Sequence, residues 1–219
     1  AFLIEPLFLN GKAKLPGADT TLAFATWLIA GYGPWLAITE SLNSSAQSVV
    51  GNGGLVKNMA FKTECLPLAA SIMGMVALSI SIVFTAILMT LDGNQPTWHA
   101  LAAIPGIVLT FAFLAAFGVG MAMITVVVRD FGVILPTLLL MLLFASPIFY
   151  PLEAMPPVLR TVAQWNPFYL MTEFIRKPLL FHSIPPWHQW LYVGVLTVVI
   201  GFINLSVFRR LKGNFSSLL

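Results

Sequence analysis

Few residues in this sequence could carry out chemistry, and they are scattered. The only Gly-Lys pair, Gly11-Lys12, lacks the upstream glycine of a phosphate-binding loop, and Ala13 stands where Ser or Thr is needed. Neither the nucleophile elbow GxSxG nor the zinc motif HExxH occurs. Cys65 is the single cysteine, and no Cys/His cluster has metal-ligand spacing. The sequence therefore predicts no catalytic residue, no metal and no cofactor bound by this chain itself.

One acidic side chain lies inside a long apolar stretch. Glu40 stands in a polar patch that runs from Thr39 to Ser45 and includes Asn43. A charge within the bilayer is costly and usually marks a functional site. Glu40 and Asn43 are therefore candidates for the lining of a channel, and a position near the membrane interface is the alternative. A proton relay would need several aligned ionisable groups, which the other apolar stretches do not supply.

A glycine-rich break begins the segment Gly51–Pro67, which continues as a short stretch of mixed polarity. On a helix, Leu55, Met59 and Lys62 would fall on one side at a spacing of three to four residues. A short amphipathic helix on the cytoplasmic surface would be a natural docking element for another protein. An ordinary connector at the membrane interface is the alternative.

Prolines and aromatic residues crowd the segment 146–186. Its apolar pieces Val158–Gln164 and Tyr169–Phe181 are too short to cross a bilayer, so they predict two short helices that dip into the outer leaflet. The aromatic residues here fit an interfacial belt, or some of them face a pore and stack against sugar rings. They are Tyr150, Trp165, Phe168 and Tyr169.

The composition shows which environment these segments occupy. Hydrophobic residues make up 58% of the 219 residues and charged residues only 9%, whereas a soluble domain has about 25% charged residues. A chain of this length cannot bury so much apolar surface by itself, so lipid must solvate it. The net charge of +3 comes from scattered basic residues, which argues against nucleic acid as a partner.

Five stretches are long enough to be membrane-spanning helices of about 20 residues. They are Leu22–Val50, Leu66–Leu91, Trp98–Val128, Phe131–Phe149 and Trp187–Phe208. Ala1–Leu9 is interpreted as the outer end of a first span, so the intact protein is predicted to have six. Basic residues favour, by a narrow margin, a cytoplasmic C-terminus. Between the third and fourth stretches, Asp130 is expected to cap the next helix and Arg129 to meet headgroup phosphates.

Three features follow one another along the chain: the segment Gly51–Pro67, the turn Arg129-Asp130 and the segment 146–186, which is rich in proline and aromatic residues. In this order they resemble the permease subunit of ABC exporters for O-antigen, capsular and teichoic-acid polysaccharides, within the type-2 exporter superfamily. The likeness covers nearly the whole chain from about residue 20. It departs at Lys62, where the family often has proline after the phenylalanine. The matching residues are Asn52, Leu55, Val56, Lys57, Phe61, Glu64-Cys65-Leu66-Pro67, Arg129-Asp130, Ser146-Pro147-Ile148-Phe149-Tyr150-Pro151, Asn166-Pro167-Phe168 and Arg176.

The resemblance implies an all-α permease fold in the bacterial inner membrane and a homodimer with a pore along its interface. It also implies two separate ATP-binding cassette subunits that bind ATP and Mg²⁺. Residues 51–64 would couple to them, and residues 150–186 would form the outer gate region. The implied coupling residues are Asn52, Leu55, Val56, Lys57, Met59, Phe61 and Lys62, with Arg129 and Asp130 at a second cytoplasmic turn. The implied gate residues are Phe149, Tyr150, Trp165, Phe168, Tyr169 and Arg176.

The predicted function is therefore ATP-driven export of a lipid-linked polysaccharide through a channel in the membrane. A type-2 permease that exports a drug or a small lipid is the alternative with the same fold. A membrane-embedded glycosyltransferase would need clustered acids or a metal site, which the scattered acids of this sequence do not support. An ion-coupled carrier is disfavoured because intramembrane charges are few.

Overall fold

A computed structural model describes residues 21–58, 62–94 and 97–211, and every regular element among them is a helix. The all-helical fold expected from the sequence is thus confirmed. Two short 3₁₀ helices, Trp98–Ala102 and Leu152–Ala154, accompany nine α-helices in this part of the chain. The α-helices are α1 (Thr21–Gly51), α2 (Gly53–Asn58), α3 (Cys65–Ser71), α4 (Met73–Leu91), α5 (Ala103–Val127), α6 (Phe131–Ala145), α7 (Pro157–Ala163), α8 (Pro167–Leu180) and α9 (Trp187–Leu211).

Four helical segments of the described residues are long and apolar enough to cross a membrane. They are Leu22–Gly51, Cys65–Leu91, Trp98–Val127 and Trp187–Leu211, and each agrees within a few residues with a predicted span. Ser41 and Ser45 bond to the carbonyls of Ser71 and Pro67, so Leu22–Gly51 and Cys65–Leu91 run antiparallel. Val49, Val126 and Phe208 share one core cluster, so the first, third and fourth segments end on the same side. Residues 51–58, 62–64 and 128–130 therefore lie at one end of the bundle. We call this end, predicted to be cytoplasmic, the inner end. The opposite end, which carries residues 146–186, is the outer end.

The predicted span Phe131–Phe149 is shorter than expected. α6 ends at Ala145 after 15 residues, which is about 22 Å at 1.5 Å per residue, against about 30 Å for the hydrocarbon core. Ser146 is extended, with φ −99° and ψ 141°, because a following proline disfavours helical backbone at the preceding residue. The apolar run continues to Phe149, but the helix does not.

The prediction that Asp130 caps α6 was wrong. Its backbone is already helical, with φ −64° and ψ −22°, and its side chain makes no capping hydrogen bond. A capping side chain needs extended backbone at its own residue, and this turn is too tight to provide it. The backbone carbonyl of Asp130 instead accepts hydrogen bonds from the amides of Val133 and Ile134.

α1 lies at the centre of the bundle and packs against α3, α4, α5, α6 and α8, while α9 packs mainly on α5. The main core forms where α1, α5, α6 and α8 meet, around Trp35, Phe113, Leu139 and Phe174. Because α1 touches the spans on both sides and α8 at the outer end, it fixes where the short outer helices lie.

Small residues allow the closest helix crossings. A Cβ atom at Gly74 of α4 would overlap the carbonyl oxygen of Ala37 of α1, so the two backbones touch. On the other side, a Cβ at Gly120 of α5 would lie 2.6 Å from the Asn204 amide nitrogen of α9. That amide donates to the Ala116 carbonyl at 3.0 Å. Close approach through small residues and an interhelical hydrogen bond is how helices associate in lipid.

Candidate functional site

One side of α1 is open along most of its length. Tyr32 and Leu36 are 36% and 39% exposed, Glu40 and Gln47 are exposed, and Asn43 is half-buried. These residues follow one another at steps of three or four, which places them on one face of the helix. We call this face the α1 stripe. Its inner half is polar although it belongs to a membrane-spanning helix.

Glu40 lies well inside a membrane-spanning helix and not at its end. α1 has 31 residues, and Glu40 is about 16 Å from its inner end at 1.5 Å per residue. Among the described residues it forms no ion pair. Since a carboxylate facing hydrocarbon is strongly disfavoured, its surroundings must be water or another protein surface.

α6 borders the stripe at its inner end, and the segment that follows α6 borders it at the outer end. At the inner end, a Cβ at Gly132 of α6 would overlap the side-chain amide of Gln47. At the outer end, the rings of Tyr32 and Phe149 lie 5.4 Å apart, and Phe149 lies 6.3 Å from Phe144. The outward side of α6 is apolar and open, with Met141 66% exposed and Phe144 63% exposed. The α1 stripe and the outward side of α6 together form one surface, the α1–α6 face.

The two proline motifs of the outer end are joined directly. Asn166 precedes Pro167 at the start of α8, and its Oδ1 accepts a hydrogen bond from the amide of Phe168 at 3.0 Å. Its Nδ2 donates to the Ser146 hydroxyl at 2.8 Å. One asparagine thus caps α8 and ties it to the end of α6. This link could not be deduced from the sequence, where the two residues lie in separate motifs.

The predicted gate aromatics occupy different environments. Phe168 packs edge-on against Trp35, Phe113 and Phe117, with ring centroids 6.3, 5.8 and 5.7 Å away. Tyr169 is only 7% exposed. These two side chains therefore anchor α8 in the bundle, and neither is an open part of a pore wall in this chain.

Three other predicted gate residues lie nearer the surface. Tyr150 is half-buried, and its hydroxyl donates to the carbonyl of Phe144 at 2.9 Å. Trp165 is 43% exposed and meets Tyr192 of α9 at 5.4 Å between ring centroids. Phe149 is half-buried at the outer end of the α1–α6 face. Only Phe149 and Tyr150 thus lie beside that face.

Arg176 is buried and paired. Its Nε donates to Oε1 of Glu173 at 2.8 Å, and its Nη2 bonds to the same oxygen. The guanidinium also donates from Nη1 to the Ile148 carbonyl at 3.3 Å and lies 4.6 Å from the centroid of the Trp27 ring. Both members of the pair are 3% exposed. The partner Glu173 was missed from the sequence, although its position three residues before Arg176 was a usable signal.

The predicted coupling residues lie at the inner end. Asn52 is exposed, and its side chain donates to the carbonyl of Ser48 in the last turn of α1 at 2.7 Å. Leu55 is 45% exposed on α2, and Lys62, Arg129 and Asp130 are exposed as well. Val56 and Lys57 belong to α2. Met59 and Phe61 lie outside the described residues.

Several known proteins are similar to this chain over most of its length. Among curated relatives, the chain is 22% identical over 195 residues to the O-antigen export system permease protein RfbA of Myxococcus xanthus, covering 88% of this chain and 75% of the relative. It is 24% identical over 192 residues to the polysialic acid transport protein KpsM of Escherichia coli, covering 86% and 73%. It is 21% identical over 201 residues to an RfbA of Klebsiella pneumoniae, covering 90% and 76%.

A family model gives the assignment. The model described as ABC-2 type transporter matches residues 1–180, a range that includes every described helix from α1 to α8. The match agrees with the all-helical fold and the four span-length helices. The chain therefore belongs to the ABC-2 type transporter family and is a multi-pass permease subunit of the bacterial inner membrane.

Proposed function

We propose that this chain forms the channel of an exporter that moves a lipid-linked polysaccharide across the cytoplasmic membrane. The cargo class is that of an O-antigen, a capsular polysaccharide or a teichoic acid. The observation that carries the proposal is the α1–α6 face, where Glu40, Asn43 and Gln47 form a polar row on a membrane-spanning helix. A hydrophilic polymer needs such a row, because it must cross the hydrocarbon region without losing its polar contacts.

The proposed channel is built by two copies of this chain. A two-fold symmetric contact would place the same face of each copy opposite the other. The two polar rows would then line a common water-filled path, and the apolar outward side of α6 would seal the seam. This arrangement removes the cost of Glu40 facing lipid and covers the exposed side chains of Met141 and Phe144.

Aromatic rings at the outer end favour a sugar cargo. Tyr32 and Phe149, 5.4 Å apart, lie on the outer side of Glu40, with Tyr32 about 12 Å farther along the α1 stripe. Their faces can stack against the C–H faces of successive sugar rings, as aromatic residues do with flat apolar surfaces. The names of the relatives, an O-antigen export permease and a polysialic acid transport protein, support the same cargo class.

Energy would come from two separate ATP-binding subunits docked at the inner end. The exposed Asn52, Leu55 and Lys62 offer the contact surface. Lys57 and Phe61, which the sequence predicts as coupling residues, belong to the same segment. Motion of α2 would pass directly to α1, because only the single residue Asn52 separates the two helices. A push on α2 would therefore move the helix that carries the polar row.

The test is glycan transport by the chain reconstituted in vesicles with its partner ATP-binding subunit. Glu40→Leu should lower ATP-driven glycan export about tenfold or more, because a change of about 1.4 kcal/mol in the barrier gives that factor. Glu40→Gln keeps a polar group of the same shape and should retain most of the activity. Both variants should assemble with the ATP-binding subunit as the unaltered chain does.

Two outcomes would contradict the proposal. Export of a small amphiphile but not of a glycan would favour the drug or small-lipid permease. Full activity from a single copy without an ATP-binding subunit would exclude both the dimeric channel and its energy source.

A further inference from the structure

We infer that Arg176 is a positioning residue that joins α8, residues 146–148 and the outer half of α1 into one rigid body, so that the outer region changes shape only over residues 151–164. We call residues 151–164 the outer flap. The inference depends on membership of a transporter family and not on the nature of the cargo.

The guanidinium of Arg176 connects three separate parts of the chain. It bonds to Glu173 within α8, to the backbone carbonyl of Ile148 after α6, and lies 4.6 Å from the Trp27 ring of α1. A Cβ at Gly31 of α1 would lie 2.8 Å from its Nη1, so the side chain lies directly on the α1 backbone. A buried charge whose partners are removed is strongly destabilised, so these contacts resist being broken one at a time.

Other contacts hold the start and the middle of α8. At its start, the Asn166 side chain bonds to Ser146, and Phe168 fills a space among rings of α1 and α5. Farther along, the ring of Phe174 stacks 4.2 Å from that of Trp190 on α9. Helix α8 is thus tied to α1, α5, α6 and α9, and it has no free side on which to pivot.

The outer flap is held mainly to itself. Val158, Leu159 and Val162 of α7 are 78%, 53% and 70% exposed. Arg160 folds back within the flap, and its Nη2 donates to the carbonyls of Glu153 and Met155. A short element with little buried apolar surface opens at low free energy.

Fixed contacts mark both boundaries of the flap. On one side the Tyr150 hydroxyl bonds to the Phe144 carbonyl at 2.9 Å. On the other side Trp165 meets Tyr192 of α9 at 5.4 Å between ring centroids. The flap can therefore change position relative to α1 only by rotation between these two points.

Hydrogen–deuterium exchange of the full chain in lipid nanodiscs tests the inference. Amides of α8 should exchange at least about tenfold more slowly than those of α7. Arg176→Gln should remove most of this difference by accelerating exchange in α8 and residues 146–148, with α7 and the inner half of α5 unchanged. Arg176→Lys keeps the charge but not the fork that reaches Ile148, so it should give an intermediate rate.

A matched control comes from the neighbouring residue. Lys177 also meets Glu173, at 3.4 Å, but its side chain is 33% exposed, so Lys177→Gln should leave α8 exchange nearly unchanged. Equal exchange of α7 and α8 in the unaltered chain would overturn the inference, and this comparison needs no variant to fold. A uniform acceleration of all helices in Arg176→Gln would also overturn it, because that result indicates a general loss of stability.

A second arm uses the complex with the ATP-binding subunit. Addition of a non-hydrolysable ATP analogue should change exchange within residues 151–164 and leave that of α8 as it was. A change in α8 relative to α1 would contradict the rigid body. Neither arm involves a glycan, so both results stand whatever the cargo proves to be.

Discussion

At the scale of single residues, the outer end depends on polar contacts buried in an apolar bundle. The resemblance of this sequence to the exporter permeases placed Arg176 in the outer gate region. The burial of its side chain could not be predicted from the sequence. α8 is buried on nearly all sides, which follows from its insertion between α1, α5 and α9. Sequence spacing could suggest the Glu173–Arg176 pair, but only the tertiary packing shows that it is shielded from water.

Removal of one partner of this pair should be costly. Glu173→Gln leaves Arg176 buried with its charge uncompensated, and such losses amount to about 3–5 kcal/mol. Denaturant unfolding of the purified chain in detergent would measure the change in unfolding free energy. Glu153→Gln alters an exposed acid of the outer flap and should change it little. Equal effects of the two substitutions would show that the pair contributes no special stability.

Gly31 offers a second test at this scale. In Gly31→Ala the new Cβ lies 2.8 Å from Arg176 Nη1 and 3.3 Å from the Ile148 carbonyl oxygen, so we expect a loss of about 1–3 kcal/mol from overpacking. In Gly194→Ala, on α9, no described atom lies within 4 Å of the new Cβ. That change should be neutral or stabilise the helix by up to about 1 kcal/mol. Thermal unfolding of both variants would decide, and the opposite order would contradict the described packing.

At the scale of elements, the long helices could be predicted because an apolar run of span length has few alternatives in lipid. The end of α6 could not be predicted, because the apolar run continues past Ala145 whereas the helix stops before Ser146 and Pro147. The short helices α7 and α8 were expected between the prolines, and their starts differ from the prediction by one or two residues. Their attachment to the bundle depends on Asn166 and Phe168, whose partners are distant in sequence.

Asn166→Ala should weaken the start of α8. It removes both the cap on Phe168 and the bond to Ser146, and together these contribute about 1–2 kcal/mol. Asn166→Asp keeps the acceptor for the Phe168 amide and can accept from the Ser146 hydroxyl, so it should restore most of the stability. Hydrogen exchange in the first turn of α8 is the measurement. Unchanged exchange in Asn166→Ala would show that the asparagine is not needed as a cap.

At the scale of the whole molecule, the α1–α6 face is a surface that a single chain leaves exposed. The polar patch from Thr39 to Ser45 was visible in the sequence, but helical geometry and packing decide which of its members face outward. Ser41 and Ser45 are buried against α3, where they bond to the carbonyls of Ser71 and Pro67. Glu40 remains outside. The sequence could not separate these roles, because all of these residues are polar and lie within one helical turn or two of each other.

If two copies associate through the α1–α6 face, cysteines introduced on that face should form a disulfide between the copies. In a Cys65→Ser background, Met141→Cys on α6 should form a disulfide-linked dimer in membranes under mild oxidation. Residues near a two-fold axis meet their own copies, within the 4.4–6.8 Å between Cα atoms that a disulfide spans. Val198→Cys, 71% exposed on α9, should remain monomeric on a denaturing gel. Cross-linking through Val198 alone would place the contact on the other side of the molecule.

The shortness of α6 has a consequence for the lipid around it. A helix of about 22 Å beside spans of full length leaves part of the outer leaflet without a matching apolar wall. The bilayer must compress there or admit water, at a cost of a fraction of a kcal/mol per ångström. Acyl chains two to four carbons longer should therefore slow transport by reconstituted vesicles, and shorter chains should speed it. The protein would then sense membrane thickness at the place where its cargo leaves.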